Sequence, residues 1–339
     1  MGKHLLAAMA GTGLVVLGLG ATQPSDLQRY GFAEPHMGTL FQLTLYADSP
    51  DRAKAAAKAA FARVAQIDGI MSDYKSDSEL MRLCKKAGTG PVKVGPELFS
   101  VLSHAQEIAR LTDGALDVSI APVVKLWRKA RKTKRLPSME ELKAALALVD
   151  WHKIKLDPQR RTIELQLMGM LLDLGGIAKG WTGDDVIRLL ATHGIKHALI
   201  AAGGDIVVAD APPGTQGWKI GVAPLKDPDG PPSHYLLLKN MAVSTSGDTH
   251  QFVEIDGKRY SHVIDPKTGI GLTGRRSVTV IASTGVFADG LDTALCVLGP
   301  ERGLPIVEAH PDCAAVFVME VDRQEKSIPS KRFAKYLAK

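Results

Sequence analysis

The chain has 339 residues, an ordinary hydrophobic fraction of 45%, 33 glycines and a formal net charge of +6. This length can bury a large core in one or two domains, and the frequent glycines favour a turn-rich α+β protein over a helical bundle. The positive charge is modest and no nucleic-acid-binding motif accompanies it, so we expect no DNA or RNA partner. The three cysteines have no metal-type spacing, and an odd, sparse set argues against a disulfide framework.

The N-terminus has the pattern of an export signal. Lys3 and His4 precede an apolar run over residues 5–20, and small residues follow at Ala21 and Thr22. This order predicts a signal peptide or uncleaved anchor over residues 1–22, although the run is slightly short for a membrane span. No cysteine follows it, which excludes a Cys-anchored lipoprotein. We therefore expect an exported protein, periplasmic or on the outer face of the cytoplasmic membrane, with membrane association through this segment if it is retained.

The remaining chain mixes strand and helix patterns. A linker is predicted over residues 23–36, and residues 326–339 are predicted to form a basic tail. Helices are predicted over residues 50–70, 96–111, 138–149 and 286–298. A further helix is predicted to follow the glycine-rich stretch that ends at Gly180 and to run to Thr192. Strands are predicted over residues 37–46, 162–167, around 171–172, and over 197–201, 206–208, 218–223, 251–255, 258–263, 277–282 and 313–321, the last closing the sheet. Because hairpins occur as well as crossovers, we expect an α+β fold with a mixed, largely antiparallel sheet core flanked by helices.

One basic segment has no obvious structural partner. Residues 125–135 contain seven lysines and arginines. Such a run could bind a phosphate or an anionic membrane surface, but it is more often a solvated loop, which is what we expect here.

A short acidic motif stands near the start of the last predicted helix. Asp289, Asp292 and Thr293 are spaced i, i+3 and i+4, so their oxygens share one helix face. Carboxylates and a hydroxyl are hard donors suited to Mg²⁺ or Ca²⁺, and the free N–H groups of the helix end favour a phosphate. Spacing alone leaves open that the two aspartates only stabilise the helix dipole and that Thr293 is a packing residue.

Two further segments contain candidate functional groups. The glycine-rich stretch over residues 172–180 joins a strand to a helix, and Lys179 adds a positive charge where backbone N–H groups could approach a phosphate. It matches neither a dinucleotide-binding fingerprint nor a P-loop, so a plain tight turn remains the alternative. His262 lies near the end of a strand and is a candidate general base, although a lone histidine is more often a structural residue. Residues 244–248 are predicted to form a hydroxyl-rich turn.

Taken together, these motifs resemble the FAD:protein FMN transferases of the ApbE family. The matching stretches, in family order, are Met37-Gly38-Thr39, Met71-Ser72-Asp73-Tyr74, Asp113-Gly114-Ala115-Leu116-Asp117, residues 173–180, Gly203-Gly204-Asp205, Thr245-Ser246-Gly247-Asp248, residues 261–266 with Thr268-Gly269, and Ala288-Asp289 with Thr293-Ala294. The resemblance covers residues 37–299, and it implies that residues 37–325 form the catalytic domain.

The resemblance also implies binding roles for individual residues. Mg²⁺ would be bound by Asp289, Asp292, Thr293 and the backbone carbonyl of Gly176. FAD would be contacted by Met37, Tyr74, Ala115, Leu116, Asp117, Asp173, Lys179 and Val263. Two departures are small: Gly290 stands where the family usually has alanine, and Gly176 stands where relatives carry Ala, Ser or Thr.

The activity implied is the Mg²⁺-dependent transfer of FMN from FAD to a Thr or Ser hydroxyl of an acceptor protein, with release of AMP. His262 and Asp289 would be the catalytic residues, His262 as the base, with an aspartate as the competing choice of base. Two alternatives stay open: the same site could hydrolyse FAD to FMN and AMP with water as the nucleophile, or the protein could bind FAD without catalysis.

Overall fold

The computed structural model describes residues 27–227, 230–248 and 251–338. The predicted signal or anchor, residues 1–22, lies outside these ranges, as does the beginning of the predicted linker. Within the described ranges, no helix is both long and apolar enough to cross a membrane.

Seven helices and fifteen strands alternate irregularly along the described part of the chain. The helices are α1 Pro50–Met71, α2 Glu79–Cys84, α3 Pro96–Leu111, α4 Ala121–Thr133, α5 Met139–Leu146, α6 Ala178–Thr192 and α7 Gly285–Ala309. The strands are β1 Gln28–His36, β2 Thr39–Ala47, β3 Val92–Lys93, β4 Ile154–Asp157, β5 Thr162–Leu165, β6 Ala198–Ala202, β7 Asp205–Val208, β8 Trp218–Val222, β9 His234–Leu238, β10 Met241–Gly247, β11 Phe252–Ile255, β12 Lys258–Ser261, β13 Arg276–Ala282, β14 Ala314–Val321 and β15 Gln324–Pro329. Short 3₁₀ turns cover Val118–Ile120, Trp151–Lys153 and Phe333–Tyr336.

An eight-stranded sheet in the order β1-β2-β6-β7-β10-β13-β14-β15 is the centre of the fold. Its neighbouring strands pair antiparallel throughout. The strand pairs β8–β9 and β11–β12 and the three-stranded sheet β3-β5-β4 are separate and also antiparallel. The predicted α+β fold with a largely antiparallel sheet is therefore confirmed.

The central strands of the large sheet are buried on both faces, which explains their dense apolar sequence. Along β13, Val278 and Val280 belong to the core beneath α1, α6 and α7, whereas Ile281 belongs to the core against β8 and β9. Successive strand residues point to opposite faces, so both faces need apolar residues when both are covered.

Two smaller cores lie beside the sheet, next to the candidate site. One packs α2 and α3 against the three-stranded sheet and the glycine-rich segment before α6. The other joins α4 and α5 to the β11–β12 hairpin, where Trp127 contacts the Tyr260 ring and donates a hydrogen bond from Nε1 to the Gly269 carbonyl (2.8 Å). The hairpin that carries His262 is therefore attached to the basic helix α4.

The helix caps and the tight turn predicted from the sequence are present in the structure. The Ser49 side chain accepts a hydrogen bond from the backbone N–H of Arg52 at the start of α1, and Ser138 and Glu141 form the capping box of α5. Asp256 and Gly257 both have positive φ, as the tight turn between β11 and β12 requires. The helix predicted to stop before Pro300 is interrupted at Gly299, but helical structure resumes and continues to Ala309.

Other expectations are wrong. Residues 28–36 of the predicted linker form β1, which pairs with β2 along its whole length. Residues 326–329 of the predicted basic tail belong to β15, and Phe333 beyond them is buried. Consequently β15, and not the strand over residues 313–321, forms the edge of the sheet. Residues 171 and 172 lie in irregular backbone where a strand was expected, and α2 was not predicted.

The basic run is also different from the expected solvated loop. Most of residues 125–135 lie in α4, which buries Trp127 and Ala130 and leaves most of its cations in solvent. Burial of these two side chains at i and i+3 fixes one helix face, which is the amphipathic pattern that the high charge concealed.

Helices α6 and α7 approach each other closely enough for their backbones to touch. A Cβ built on Gly180 would lie 2.1 Å from the carbonyl oxygen of Gly285 and 2.7 Å from Cβ of Asp289. Real Cβ atoms do not occupy such positions, so only glycine allows this contact. The contact places the first turn of α7 against the glycine-rich segment.

We predict that Gly180→Ala strongly destabilises the protein, by about 3 kcal/mol or more, because neither backbone can yield to the new methyl group. The matched control is Gly69→Ala in α1, where a Cβ meets nothing within 4 Å. That change should stabilise by about 1 kcal/mol through helix propensity. Chemical denaturation of both variants measures the difference, and equal stabilities would contradict the close contact.

Candidate metal and flavin site

An acidic cluster occupies the first turns of α7. Asp289 and Asp292 are each only 2% exposed, and Asp205, at the start of β7, is 7% exposed. Ser244 on β10 lies between the carboxylates of Asp292 and Asp205. Its Oγ is 2.5 Å from Asp292 Oδ2 and also contacts Asp205 Oδ1. A hydroxyl has one proton to donate, so Ser244 can satisfy only one of these two carboxyl oxygens at a time.

Lys179 provides the positive charge nearest to this cluster. Its ammonium lies 2.9 Å from Asp205 Oδ2 and 3.5 Å from Asp289 Oδ1, and it donates to the Gly175 carbonyl (3.1 Å). Burial by itself would lower the pKa of Lys179, but the charges of Asp205 and Asp289 raise it above its ordinary value. Lys179 is therefore fully charged at neutral pH.

One ammonium does not compensate three buried carboxylates. Burial raises the pKa of Asp289, and the charge of Asp205 raises it further. The pKa of Asp292 is also well above the ordinary value, through burial and the charges of Asp289 and Asp205. Such shifts are typical of sites whose carboxylates need a cation to stay ionised.

The glycine-rich segment lies against the same helix face. A Cβ on Gly176 would be 3.0 Å from Thr293 Oγ1, and the Gly180 N–H donates to Asp289 Oδ2 (2.8 Å). Gly176 therefore lies beside Thr293, on the helix that also carries Asp289 and Asp292, although the two segments are distant in the chain. Two carboxylates, a hydroxyl and a carbonyl form an oxygen-only donor set that fits Mg²⁺. Within the described ranges, no three or more His, Cys, Asp or Glu side chains are arranged so that all could hold one metal ion, and this donor set contains two carboxylates.

Asp173 begins the glycine-rich segment and connects it to α4. Its Oδ1 accepts the Gly175 N–H (2.7 Å), and its Oδ2 accepts from Arg128 (3.0 Å). Arg128 also pairs with Asp73 (2.5 Å) and stacks on the Tyr74 ring, 4.2 Å from its centroid. Burial raises the pKa of Asp173, and Asp73 raises it further. Asp173 and Tyr74, both predicted to contact FAD, are thus joined through one guanidinium.

The other predicted FAD contacts surround the same region with different exposure. Leu116 packs towards Gly290. A Cβ built on Gly290 would lie 3.2 Å from Leu116 Cδ2 and only 2.5 Å from Ile108 Cδ1. This crowding is a physical reason for glycine at position 290. Ala115 and Leu116 are buried side chains and are available to a ligand mainly through their backbone.

Met37, Asp117 and Val263 have clear structural contacts. Met37 has a φ of +48°, unusual for a non-glycine residue, and its sulfur accepts from the Thr182 hydroxyl on α6 (3.8 Å). The Asp117 carboxylate accepts the backbone N–H groups of Ser119 (2.8 Å) and Trp151 (3.0 Å). Val263 is buried in the main core.

His262 follows β12 and is half-buried. Its Nδ1 lies 3.1 Å from the Gln251 carbonyl oxygen, which can only accept, so Nδ1 carries the proton and Nε2 keeps a free lone pair. Burial lowers the pKa of His262 to about 4, and the charges of Arg131 and Lys179 contribute in the same direction. The imidazole is consequently neutral at physiological pH.

Three residues at the site were not among the predicted ligands. Asp205 could have been found from the Gly203-Gly204-Asp205 motif, which belongs to the matching stretches. Ser244 was expected in a turn but lies in β10, with its side chain between two carboxylates. Arg128 was hidden within a basic run whose charge pattern gave no sign of carboxylate partners.

Comparison with known proteins gives a consistent result. A sequence model of the ApbE family matches residues 37–317. Curated relatives named FAD:protein FMN transferase include one from Treponema pallidum, 32% identical over 89% of this chain and 87% of its own length, and one from Vibrio cholerae, 32% identical over 81% of this chain and 82% of its own.

Solved structures agree with the sequence comparison. The flavin transferase ApbE from Vibrio cholerae matches with a TM-score of 0.83 and 30% identity, over 92% of this chain and 100% of that chain. An ApbE protein from Thermotoga maritima matches with a TM-score of 0.82 and 28% identity, again over 92% and 100% of the two chains. This chain belongs to the ApbE family.

Proposed function

We propose that this protein is a Mg²⁺-dependent FAD:protein FMN transferase, which moves FMN from FAD onto a Thr or Ser hydroxyl of an acceptor protein and releases AMP. The names of its relatives support the transferase activity and FAD as the substrate. The observation that carries the proposal is the contact between Gly176 and Thr293, because it joins the acidic helix face to the glycine-rich segment.

The residues that would hold Mg²⁺ are Asp289, Asp292, Thr293 and the Gly176 carbonyl. A bound Mg²⁺ would neutralise charge on the phosphoryl oxygens of FAD and allow both buried aspartates to remain ionised. Lys179, on the first turn of α6, would contribute a further positive charge towards the same phosphates.

The transfer step needs an activated hydroxyl. The acceptor oxygen would attack the FMN-side phosphorus, a new P–O ester bond would form, and the pyrophosphate P–O bond would break with AMP as leaving group. His262 would take the hydroxyl proton at Nε2, the nitrogen that its hydrogen bond to Gln251 leaves unprotonated. Its Nδ1–H bond to the backbone would select the tautomer before the proton transfer and keep the ring in place during it.

We also propose that the reaction takes place outside the cytoplasmic membrane. The support is the basic start, apolar run and small residues over 1–22, which lie outside the described residues. Fractionation of cells that produce the full chain would measure this, and recovery in the cytoplasm would contradict it.

The activity is tested by incubating the protein with FAD, Mg²⁺ and a candidate acceptor domain. Mass spectrometry should show the mass of FMN added to a Thr or Ser of the acceptor, together with stoichiometric AMP. Release of FMN and AMP with no modified acceptor would identify FAD hydrolysis instead. Retention of intact FAD would identify a binding protein without catalysis.

We predict that Asp289→Asn weakens Mg²⁺ binding by about 100-fold or more, because it removes an anionic ligand and retains the shape of the side chain. Isothermal titration calorimetry with Mg²⁺ measures this directly, and AMP release should decline in parallel at limiting Mg²⁺. Asp51→Asn, an exposed change on α1, is the control for loss of one negative charge. Unchanged Mg²⁺ affinity in Asp289→Asn would remove the metal assignment.

We predict that His262→Asn lowers the transfer rate by about 10²- to 10⁴-fold, the usual contribution of a general base, and leaves FAD binding intact. His104→Asn, at a partly exposed position of α3, is the matched control. Equal loss of FAD affinity and rate would indicate a binding role for His262.

We further predict that NMR of labelled histidines gives His262 a pKa of about 4. At pH values between about 4 and 6.5, His262 binds a proton in the unfolded chain but not in the folded chain. The free energy of unfolding should therefore decrease as the pH falls through this window, and the slope should be reduced in His262→Asn. An ordinary pKa would contradict the burial of the ring.

A further inference from the structure

We propose that Arg128 is a positioning residue that fixes the flavin-binding end of the site relative to the phosphate-binding end. This assignment rests on the proposed function, since it concerns how FAD is held. Arg128 lies on α4, within the basic run, and is not among the residues that the family resemblance implies.

Arg128 connects two separate chain segments. One terminal nitrogen pairs with Asp73, in the segment after α1, and the other pairs with Asp173, at the start of the glycine-rich segment. All three side chains are largely withdrawn from water, with the guanidinium 27% exposed and each carboxylate 12% exposed. Ion pairs of this kind are costly to break, because both remaining carboxylates would face each other without a counter-charge.

Each of the two segments presents a different surface. Tyr74 is 79% exposed, and the Arg128 guanidinium supports its ring at 4.2 Å. An exposed aromatic surface of this type suits stacking against a planar ring such as isoalloxazine. Asp173, through its bond to the Gly175 N–H, orients the turn that leads to Gly176 and the metal ligands. Arg128 therefore sets the separation between an aromatic surface and a phosphate site.

A purely structural role for Arg128 predicts a different result, and the chain offers a matched control. Arg63 on α1 also joins two carboxylates, Asp185 (2.7 Å) and Glu97 (3.0 Å), and is 24% exposed. It has the same kind of ion-pair architecture but connects α1 to α6 and α3, without contact to a predicted ligand-binding residue. Loss of either arginine should lower thermal stability, whereas only loss of Arg128 should affect the flavin.

The experiment compares Arg128→Met, Arg128→Lys and Arg63→Met in two binding measurements with Mg²⁺ present: FAD by quenching of flavin fluorescence, and ADP by calorimetry. ADP contains the phosphates of the site but lacks the flavin ring. We expect Arg128→Met to weaken FAD binding by about tenfold or more and ADP binding by about twofold at most. Arg128→Lys should recover only part of the loss, because an ammonium lacks the planar fork that reaches both carboxylates. Arg63→Met should leave both affinities nearly unchanged.

A double-mutant cycle with Tyr74→Ala tests whether Arg128 acts through the aromatic ring. If it does, Arg128→Met should weaken FAD binding much less in the Tyr74→Ala background than in the unaltered protein. Equal weakening of FAD and ADP, or independent effects of the two substitutions, would overturn the assignment. Failure of the unaltered protein to bind FAD would instead overturn the proposed function, and this assignment with it.

Discussion

The structure depends on the burial of two carboxylates at the start of α7, in contact with a glycine-rich segment that precedes α6. Burying Asp289 and Asp292 is unfavourable by itself, because both lose solvation and repel each other and Asp205. Lys179, the Ser244 hydroxyl and the Gly180 N–H compensate part of that loss. The remaining excess of negative charge is the physical basis on which we propose a cation site here.

The rest of the fold serves to hold these groups in place. The eight-stranded sheet supports α6 and α7 on one face, and the missing Cβ at Gly180 allows the two helices to touch. Their contact is rigid, since both sides of it are backbone. By contrast, the proposed flavin-binding side consists of a loop with Tyr74 and a turn with Asp173, and the side chain of Arg128 contacts both. A rigid phosphate site beside a surface fixed by ion pairs is a reasonable arrangement for a substrate with two dissimilar ends.

The basic helix α4 connects this site with the hairpin that carries His262. Trp127 packs against Tyr260 of β12, Arg128 reaches Asp173, and the charge of Arg131 contributes to the low pKa of His262. One helix thus contributes to the position of the candidate base, the aromatic surface and the glycine-rich turn. Within residues 125–135, this organisation gives Arg128 and Arg131 a local role, whereas most of the other cations face solvent.

The sequence by itself determined the local features and the family. Ser49, Ser138 and the Asp256-Gly257 turn act through neighbouring backbone, so their effects are readable from adjacent residues. The spacing of Asp289, Asp292 and Thr293 likewise follows from helix periodicity. Only the tertiary structure decided that β1 adds to the sheet, that α4 is a helix, and that Asp205, Ser244 and Arg128 join the site. Apart from β1, which pairs with the adjacent β2, these features depend on partners 39 to 142 residues away along the chain. Such long-range pairings are set by the packing of the whole chain.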